Sequence, residues 1–274
     1  MISVISVFNN KNILEEWLLG SLRKQSSPYE FIGVDNTSGK FSSAAAALNW
    51  GAKISKGEYF AFIHQDESLS GNDWLEKAEA FLRQAADLGV AGVAGMLHSP
   101  RLSIWQVGTA PVENRLGLVV SGSEKTQLRC KTVVTAPTAV QTLDEQVLMI
   151  PADVFSRLQF DEVACDNWHL YGVDYALSVG TLGLKAYVLP LPVHHKSLGF
   201  VDGRFLRTLK KIFQKHRDRK AIYTTSGSWF TNYRLDCAAL SLMAARAEAG
   251  RWIGRNTTGG RLSMNLLSLL LRSG

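Results

Sequence analysis

The chain has 274 residues, of which 46% are hydrophobic and 20% are charged, and its net charge is +6. This composition is typical of a globular protein and excludes an intrinsically disordered chain, a collagen and a coiled-coil rod. The apolar stretches at 88–97 and 262–271 are too short or too interrupted to span a bilayer. The N-terminal apolar run lacks the preceding basic residues of a signal peptide, so it is expected to be a buried strand. Three widely spaced cysteines, Cys130, Cys165 and Cys237, favour a reducing compartment over a disulfide framework.

The elements can be predicted in chain order from the hydrophobic pattern. Continuous apolar, β-branched runs predict buried strands at 3–8, 31–34, 59–63, 90–97, 146–150 and 184–189. Helical spacing and capping residues predict a helix capped by Asn12 and further helices at 43–57, 73–88, 152–158 and 171–183. Residues 99–142 are expected to form hairpins and loops, and the chain after residue 203 is expected to be helical.

Strands that alternate with helices predict an α/β fold with a mostly parallel central sheet flanked by helices. Ligands of such sheets bind at the carboxyl ends of the strands. The residues at and after the ends of the first three strands are therefore candidate ligand contacts. They are Phe8, Asn9 and Asn10, then Asp35 and Asn36, and then His64, Gln65, Asp66 and Glu67.

Carboxylates and imidazoles at these strand ends are candidate ligands of a cation or a nucleotide. Asp66 is placed to hold a divalent cation that bridges a diphosphate, or alternatively to cap a helix. Asp35 can accept a hydrogen bond from a ribose or a base, although an Asx turn explains it equally well. His194 and His195, after the last predicted strand, can complete a metal site or lie exposed.

A second group of polar residues lies in the segment 164–177. It contains Asp166, His169 and Asp174. The spacing of His169 and Asp174 does not require a shared helix face, and a carboxylate early in a helix is also explained by the helix dipole. The spacing alone therefore does not identify a general base.

The charge is distributed unevenly between two parts of the chain. Residues 1–203 carry 16 basic and 21 acidic side chains, whereas residues 204–274 carry 14 and 3. The basic part has three interpretations: a solvated helix surface, nucleic-acid binding, or attraction to anionic lipid. No nucleic-acid-binding motif is present. Apolar residues at helical spacing among the cations favour the lipid surface: Phe205, Leu209, Ile212 and Phe213.

Several motifs in order resemble one enzyme family. They are SVISVFNN, FIGVDNTSG, SAAAALNWGAKISKGEYFAFIHQDESLSGNDWLEKA, LMIPADVFSRLQFDE, HLYGVDYALSVGTLGLKAYVLP and His195-Lys196-Ser197. Over about residues 1–200 this series resembles the inverting glycosyltransferases of the large family-two type, which have the GT-A fold. The resemblance departs from that family's D-x-D motif at one position, where His64 gives H-Q-D.

The resemblance implies roles for individual residues. Asp35 and Asn49 would lie at the nucleoside, and Asp66 and His195 would hold Mn²⁺ or Mg²⁺ on the diphosphate. Asp174 would be the general base that deprotonates the acceptor hydroxyl. The donor would be a nucleotide-sugar, most simply a UDP-sugar.

The sequence thus predicts a glycosyltransferase with a donor-binding and catalytic domain at 1–203 and a basic, mainly helical extension at 204–274. The acceptor is expected to be a glycan or a lipid-linked glycan, with the protein cytoplasmic and peripheral at the inner membrane face. His64 leaves open a catalytically silent nucleotide-binding protein. A nucleotidyltransferase is a further alternative, but the segment 8–12 lacks the glycine of a phosphate loop.

Overall fold

The computed structural model describes residues 1–98, 114–122, 127–128, 132–197 and 202–230. Within these residues the chain forms a mixed α/β structure with one large sheet. Cys165 is buried, whereas Cys130 and Cys237 lie outside the described residues. None of the helices in the described ranges is long and apolar enough to cross a membrane.

Sixteen strands are present in the described part of the chain. In chain order they are β1 (Ile2–Phe8), β2 (Tyr29–Asp35), β3 (Tyr59–Ile63), β4 (Glu67–Leu69), β5 (Leu88–Gly92), β6 (Ala94–Met96), β7 (Arg115–Gly117), β8 (Val119–Ser121), β9 (Gln127–Leu128), β10 (Thr138–Val140), β11 (Thr142–Leu143), β12 (Val147–Pro151), β13 (Lys185–Val188), β14 (Val193–His195), β15 (Ala221–Thr224) and β16 (Gly227–Phe230).

The central sheet has seven strands in the order β10-β13-β5-β12-β3-β1-β2. Strands β1, β2 and β3 are parallel to one another, and β5 and β13 are also parallel. Strand β12 is antiparallel to both β3 and β5, and β10 is antiparallel to β13. Five strands thus run in one direction, which confirms the predicted mostly parallel sheet.

The helices cover both faces of this sheet. They are Lys11–Leu14, which continues as a π-helical turn Glu15–Leu19 and a helical turn Gly20–Leu22, and then Ala44–Ile54, Trp74–Gln84, Ala152–Arg157, Tyr171–Ser178 and Gly203–Lys215. Alternate residues of β1 pack against opposite layers: Ile5 belongs to one apolar cluster, and Val4 belongs to the other. The core therefore lies on both sides of the sheet, as expected for strands buried on both faces.

Capping explains where the first helices begin. The Ser43 hydroxyl accepts from the backbone N–H of Ala46, as predicted from the sequence. The cap predicted at Asn12 is wrong, and the residue that caps this helix is Asn10. The Asn10 side chain accepts from the backbone N–H of Ile13, and the helix begins at Lys11, two residues earlier than predicted.

A small sheet of order β4-β14-β8-β9 lies beside the central one. Strand β14 is antiparallel to β4, and this register pairs His195 with Glu67 and His194 with Ser68. Residues 193–195, which follow the last strand predicted from the sequence, therefore form a further strand. This pairing brings His195 next to the segment that follows β3.

The helix Gly203–Lys215, called here the basic helix, turns its apolar face into the core. The four apolar residues named for the lipid surface are buried in the same cluster as Ile5: Phe205, Leu209, Ile212 and Phe213. The prediction that this face contacts lipid is therefore wrong, because the stripe is the packing face of an amphipathic helix. The domain boundary predicted after residue 203 stays a prediction.

The chain after the basic helix is not helical where the structure describes it. Strands β15 and β16 form an antiparallel hairpin, with Thr224 paired to Gly227. The prediction of helix here is wrong because the turn sequence TSG separates two short runs of strand-forming residues. Residues 231–274 lie outside the described part.

Candidate functional site

A cavity of about 420 Å³ opens at the carboxyl ends of β1 and β3. The end of β1, the loop after β3 and the start of the helix at residue 171 form its walls. Its polar and aromatic lining includes Phe8, Asn9, Asn36, His64, Gln65, Asp66, Trp168, Tyr171 and Arg204. The cavity therefore lies where ligands of parallel sheets bind.

Gln65 joins two strand ends at the cavity floor. Its Oε1 accepts from the backbone N–H groups of Asn9, at 3.1 Å, and Asn10, at 3.0 Å. Its Nε2 donates to Oδ1 of Asn9 at 2.7 Å. Gln65 thereby fixes the end of β1 relative to the loop after β3 that carries Asp66.

Three side chains converge beside this floor and form a cluster of ligand types. His64, Asp66 and His195 each place one ligand atom so that all three atoms lie within 4.8 Å of one another. Nε2 of His195 lies 3.4 Å from Oδ2 of Asp66 and 3.0 Å from Oγ of Ser197. Residues far apart in sequence thus meet because β14 pairs with β4.

The electrostatics of the cluster favour a charged carboxylate. Burial would raise the pKa of Asp66, but the hydrogen bonds from His195 and Ser197 and the two neighbouring imidazoles together hold that pKa well below its usual range. Burial lowers the pKa of His64, which keeps its imidazole neutral at neutral pH. A neutral imidazole beside a carboxylate is the protonation state that metal ligation requires.

Glu67 lies directly behind the cluster. Its carboxyl group is fully buried, and Oε1 lies 3.8 Å from Nε2 of His195. Among the described residues neither carboxyl oxygen of Glu67 has a hydrogen-bond partner. Burial, with the charges of Asp66 and Asp144, raises the pKa of Glu67 well above its usual value.

The cluster fits a divalent cation. Neighbouring ligand atoms around a six-coordinate cation with bonds of about 2.1 Å lie about 3 Å apart, close to the separation of His195 Nε2 and Asp66 Oδ2. Two imidazoles and a carboxylate are common ligands of first-row transition metals. His64, a strand-end candidate that the sequence also marked as the departure from D-x-D, thus belongs to the cluster.

Asp35 and Asn49 do not contribute to the described lining of the cavity. The exposed Asp35 carboxylate accepts from the backbone N–H and hydroxyl of Thr37 and lies 3.6 Å from Nζ of Lys11. Asn49 is buried. Its Nδ2 donates to the backbone carbonyl of Phe160, and its Oδ1 accepts from the backbone N–H of Phe160. Their nucleoside-binding roles stay predictions.

Asp174 lies on the helix Tyr171–Ser178, called here the Asp174 helix, and is 2% exposed. Its Oδ2 accepts from Nζ of Lys215 at 2.7 Å, and its Oδ1 lies 2.8 Å from Nε2 of His216. Asp174 thus joins its helix to the basic helix and is not among the cavity-lining residues. Its role as general base stays a prediction.

The other acidic and histidine candidates have structural partners. Asp166 forms an ion pair with Lys211, and His169 lies 3.4 Å from the Asp202 carboxylate that caps the basic helix. His194 faces away from the cluster, because neighbours along a strand point to opposite faces. Its Nε2 donates to the Gly122 carbonyl at 2.7 Å.

The sequence reasoning missed three cavity residues: Trp168, Tyr171 and Arg204. Trp168 is 38% exposed, which is unusual for a large aromatic side chain and is visible only in the structure. Asn36, a candidate because it directly follows the second strand, does line the cavity, in agreement with the rule for strand ends. No sequence signal separated Tyr171 and Arg204 from ordinary helix residues.

Residues 3–198 match the model of a family described as the glycosyltransferase-like family. A further relative is 27% identical over 216 residues, which are 76% of this chain and 75% of the relative. This relative, from Fuscovulum blasticum, is described as ATP synthase subunits region ORF 6.

Two solved structures share the fold at low sequence identity. A mannosyltransferase from Pyrobaculum calidifontis, solved with GDP-Man and Mn²⁺, is 15% identical with a TM-score of 0.52, over 98% of this chain and 79% of that one. GalNAc-T7, solved with UDP, GalNAc and Mn²⁺, is 14% identical with a TM-score of 0.53 over 77% of this chain. This chain spans only 47% of GalNAc-T7.

These likenesses agree with the mixed α/β architecture and its mostly parallel central sheet. The family match extends from β1 past β14, so it contains every member of the His64, Asp66 and His195 cluster. The chain belongs to the glycosyltransferase-like family, and it is a glycosyltransferase with the GT-A fold.

Proposed function

We propose that this enzyme transfers a sugar from a nucleotide-sugar donor to a hydroxyl group of a glycan or lipid-linked acceptor, with inversion at the anomeric carbon. The observation that carries the proposal is the cavity at the ends of β1 and β3 with His64, Asp66 and His195 at its edge. A UDP-sugar is the donor that we propose first. The two solved structures of the same fold contain GDP-Man or UDP with GalNAc, which supports a donor of this class.

The nucleoside would lie against the end of β1. Phe8 offers an apolar surface there, Asn9 and Asn36 offer polar groups, and Asp35 lies at the outer edge of the same strand ends. The exposed Trp168 faces this cavity from the opposite wall. Aromatic and amide groups in a concave site are suited to hold a planar base and a sugar.

The diphosphate would lie at the cluster of Asp66, His64 and His195. Mn²⁺ or Mg²⁺ bound there would supply positive charge opposite the departing nucleoside diphosphate. Arg204 lines the same cavity and adds a cation that does not depend on the metal. The chain's own residues thus orient the diphosphate and compensate its charge.

Asp174 is the general base that we propose from the family resemblance. In the structure its carboxylate is engaged by Lys215 and His216, so an acceptor hydroxyl reaches it only if the basic helix releases it. Transfer through Asp174 therefore requires a second arrangement of these two helices. A variant at Asp174 separates this role from a purely structural one.

Binding of nucleotide and cation tests the proposal most directly. The full chain is heated with UDP, GDP, CDP or dTDP, each with and without Mn²⁺, and the melting temperature is recorded. We expect one nucleotide to raise the melting temperature, and the increase to require Mn²⁺. A panel of nucleotide-sugars is then incubated with the protein, and we expect release of the same nucleoside diphosphate.

Asp73→Asn is the matched control, because Asp73 is an exposed carboxylate that binds Lys77 on the surface. This variant should bind nucleotide as the wild type does, whereas Asp66→Asn should lose the Mn²⁺-dependent part. Nucleotide binding without turnover of any donor would contradict the proposed transfer and favour a silent binding protein. No binding of any nucleotide would contradict the site itself.

A further inference from the structure

His64 contributes an imidazole to the cation cluster, and only one of its two nitrogens can bind the cation. Its Nε2 lies 2.9 Å from the hydroxyl oxygen of Tyr171. The same hydroxyl oxygen lies 3.3 Å from the backbone carbonyl oxygen of Glu145. The Tyr171 hydroxyl thus lies between an imidazole and a group that only accepts hydrogen bonds.

The carbonyl of Glu145 determines the direction of this chain of hydrogen bonds. A hydroxyl has one proton, and the carbonyl oxygen has none to give. When Tyr171 donates to the carbonyl, its oxygen is free to accept, and the proton between it and the imidazole must come from Nε2 of His64. A neutral imidazole protonated at Nε2 has its lone pair at Nδ1.

The backbone before Tyr171 supports a specific orientation of this side chain. Leu170 has φ of 65°, and it is the only non-glycine residue of the described chain with positive φ. This left-handed conformation costs a leucine about 1–2 kcal/mol. Strain of this kind persists where the surrounding structure over-determines it, and it lies here immediately before the residue that contacts His64.

We propose that Tyr171 is a positioning residue that holds His64 with its proton on Nε2, so that Nδ1 becomes the third protein ligand of the cation beside Asp66 and His195. The inference rests on the cation site of the proposed function and adds to it the tautomer and the residue that sets it. Metal-binding histidines in proteins usually donate their second N–H to such a partner.

His64→Asp provides a background without an imidazole at this position. An aspartate there would supply an oxygen ligand in place of the nitrogen, and carboxylate oxygens are common ligands of divalent cations. The effect of Tyr171 on the imidazole can therefore be separated from an effect on the rest of the site.

Tyr171→Phe tests the inference because it removes only the hydroxyl group. Mn²⁺ alone, without nucleotide, is titrated into the full chain by calorimetry, and we expect the affinity to fall about 10- to 100-fold. In the metal-free protein, nitrogen-15 NMR of the His64 ring should show the proton on Nε2 in the wild type and a mixture of tautomers in the variant.

Tyr175→Phe is the matched control. Tyr175 lies one turn later on the same helix, is buried, and donates its hydroxyl to the Leu158 carbonyl at 2.8 Å. This variant loses a comparable hydrogen bond but should keep the wild-type Mn²⁺ affinity and the His64 tautomer. A purely structural role for Tyr171 would instead give both tyrosine variants the same small effect.

Tyr171→Phe could lower the Mn²⁺ affinity simply by destabilising the fold, and the double variant His64→Asp with Tyr171→Phe distinguishes this effect from the proposed one. In the His64→Asp background no tautomer remains to be set, so adding Tyr171→Phe should leave the Mn²⁺ affinity unchanged. An equal loss in both backgrounds would overturn the inference, as would a wild-type His64 with its proton on Nδ1. A wild-type chain that binds no Mn²⁺ would instead overturn the cation site of the proposed function, and the inference with it.

Discussion

Lys215 donates to Asp174 at 2.7 Å, and this contact joins the basic helix to the helix that carries the predicted general base. The carboxylate is 3% exposed at its side chain, whereas the lysine is one-third exposed. The pair is therefore half-buried, and the same lysine also binds Asp161 at 2.8 Å. Asp174 consequently stabilises the contact between the two helices, in addition to its proposed role as general base.

Asp174→Asn should separate these constraints. Removing the charge leaves Lys215 and His216 without their buried partner, and we expect unfolding to become easier by about 1–3 kcal/mol, measured by urea denaturation. If Asp174 is the base, donor binding persists while transfer is lost. Asp161→Asn removes the more exposed partner of Lys215 and should cost less stability and no transfer. Near-normal transfer by Asp174→Asn would exclude it as the base.

Asp66→Asn should remove most of the cation affinity. The amide keeps the size of the side chain but loses the charge that the cation requires, so the Mn²⁺ dissociation constant should rise at least about 100-fold. Adding a chelator should then no longer affect nucleotide binding. Equal nucleotide affinity of the wild type with and without chelator would contradict this role.

Leu209→Ala should destabilise the fold and leave lipid binding unchanged. Leu209 is fully buried in the core, and truncating such a leucine costs about 2–5 kcal/mol of unfolding free energy. Arg207→Ala, on the exposed side of the same helix, should leave stability within about 0.5 kcal/mol. If the apolar face contacted lipid instead, Leu209→Ala would weaken association with anionic vesicles at unchanged stability.

Asp202 makes the stability of the basic helix depend on pH. Its carboxylate caps the helix by accepting from the backbone N–H groups of Arg204 and Phe205. Burial would raise the pKa of Asp202, but these hydrogen bonds and the Arg204 side chain lower it below the usual value. The folded state thus holds the proton less tightly than the unfolded state does.

The contribution of Asp202 is therefore complete above the unfolded pKa of about 3.9 and is lost as the pH falls from there through the folded pKa. Asp202→Asn retains a capping side chain without the charge. We expect the stability difference between wild type and Asp202→Asn, measured by denaturation between about pH 5 and pH 3, to shrink as the pH falls. A difference independent of pH would show that the charge contributes nothing.

The sequence predicted the elements that hydrophobic pattern and capping determine locally. Strands β1 to β3 and the helix after Ser43 follow from short-range signals, and the position of the cavity follows from the rule for parallel sheets. The basic helix was predicted as a helix, but its face was assigned to lipid. A helical stripe looks the same whether its partner is a lipid surface or the protein core.

Several residues of the site could not be predicted from the sequence, because tertiary contacts rather than local sequence patterns place them there. Tyr171 and Arg204 reach the cavity because of how their helices dock on the sheet. Asn49, which the resemblance placed at the nucleoside, instead binds the backbone of Phe160. Such partners are set by tertiary packing between segments far apart in the chain.

The pairing of β4 with β14 has a consequence for how the protein matures. Asp66 emerges early during synthesis, whereas His195 emerges only near the end of the region that the family match covers. If the proposed cation binds this cluster, a partly synthesised chain would lack the complete set of ligands and could not yet bind the ion with full affinity. Binding would then favour the native state and make the final folding step harder to reverse.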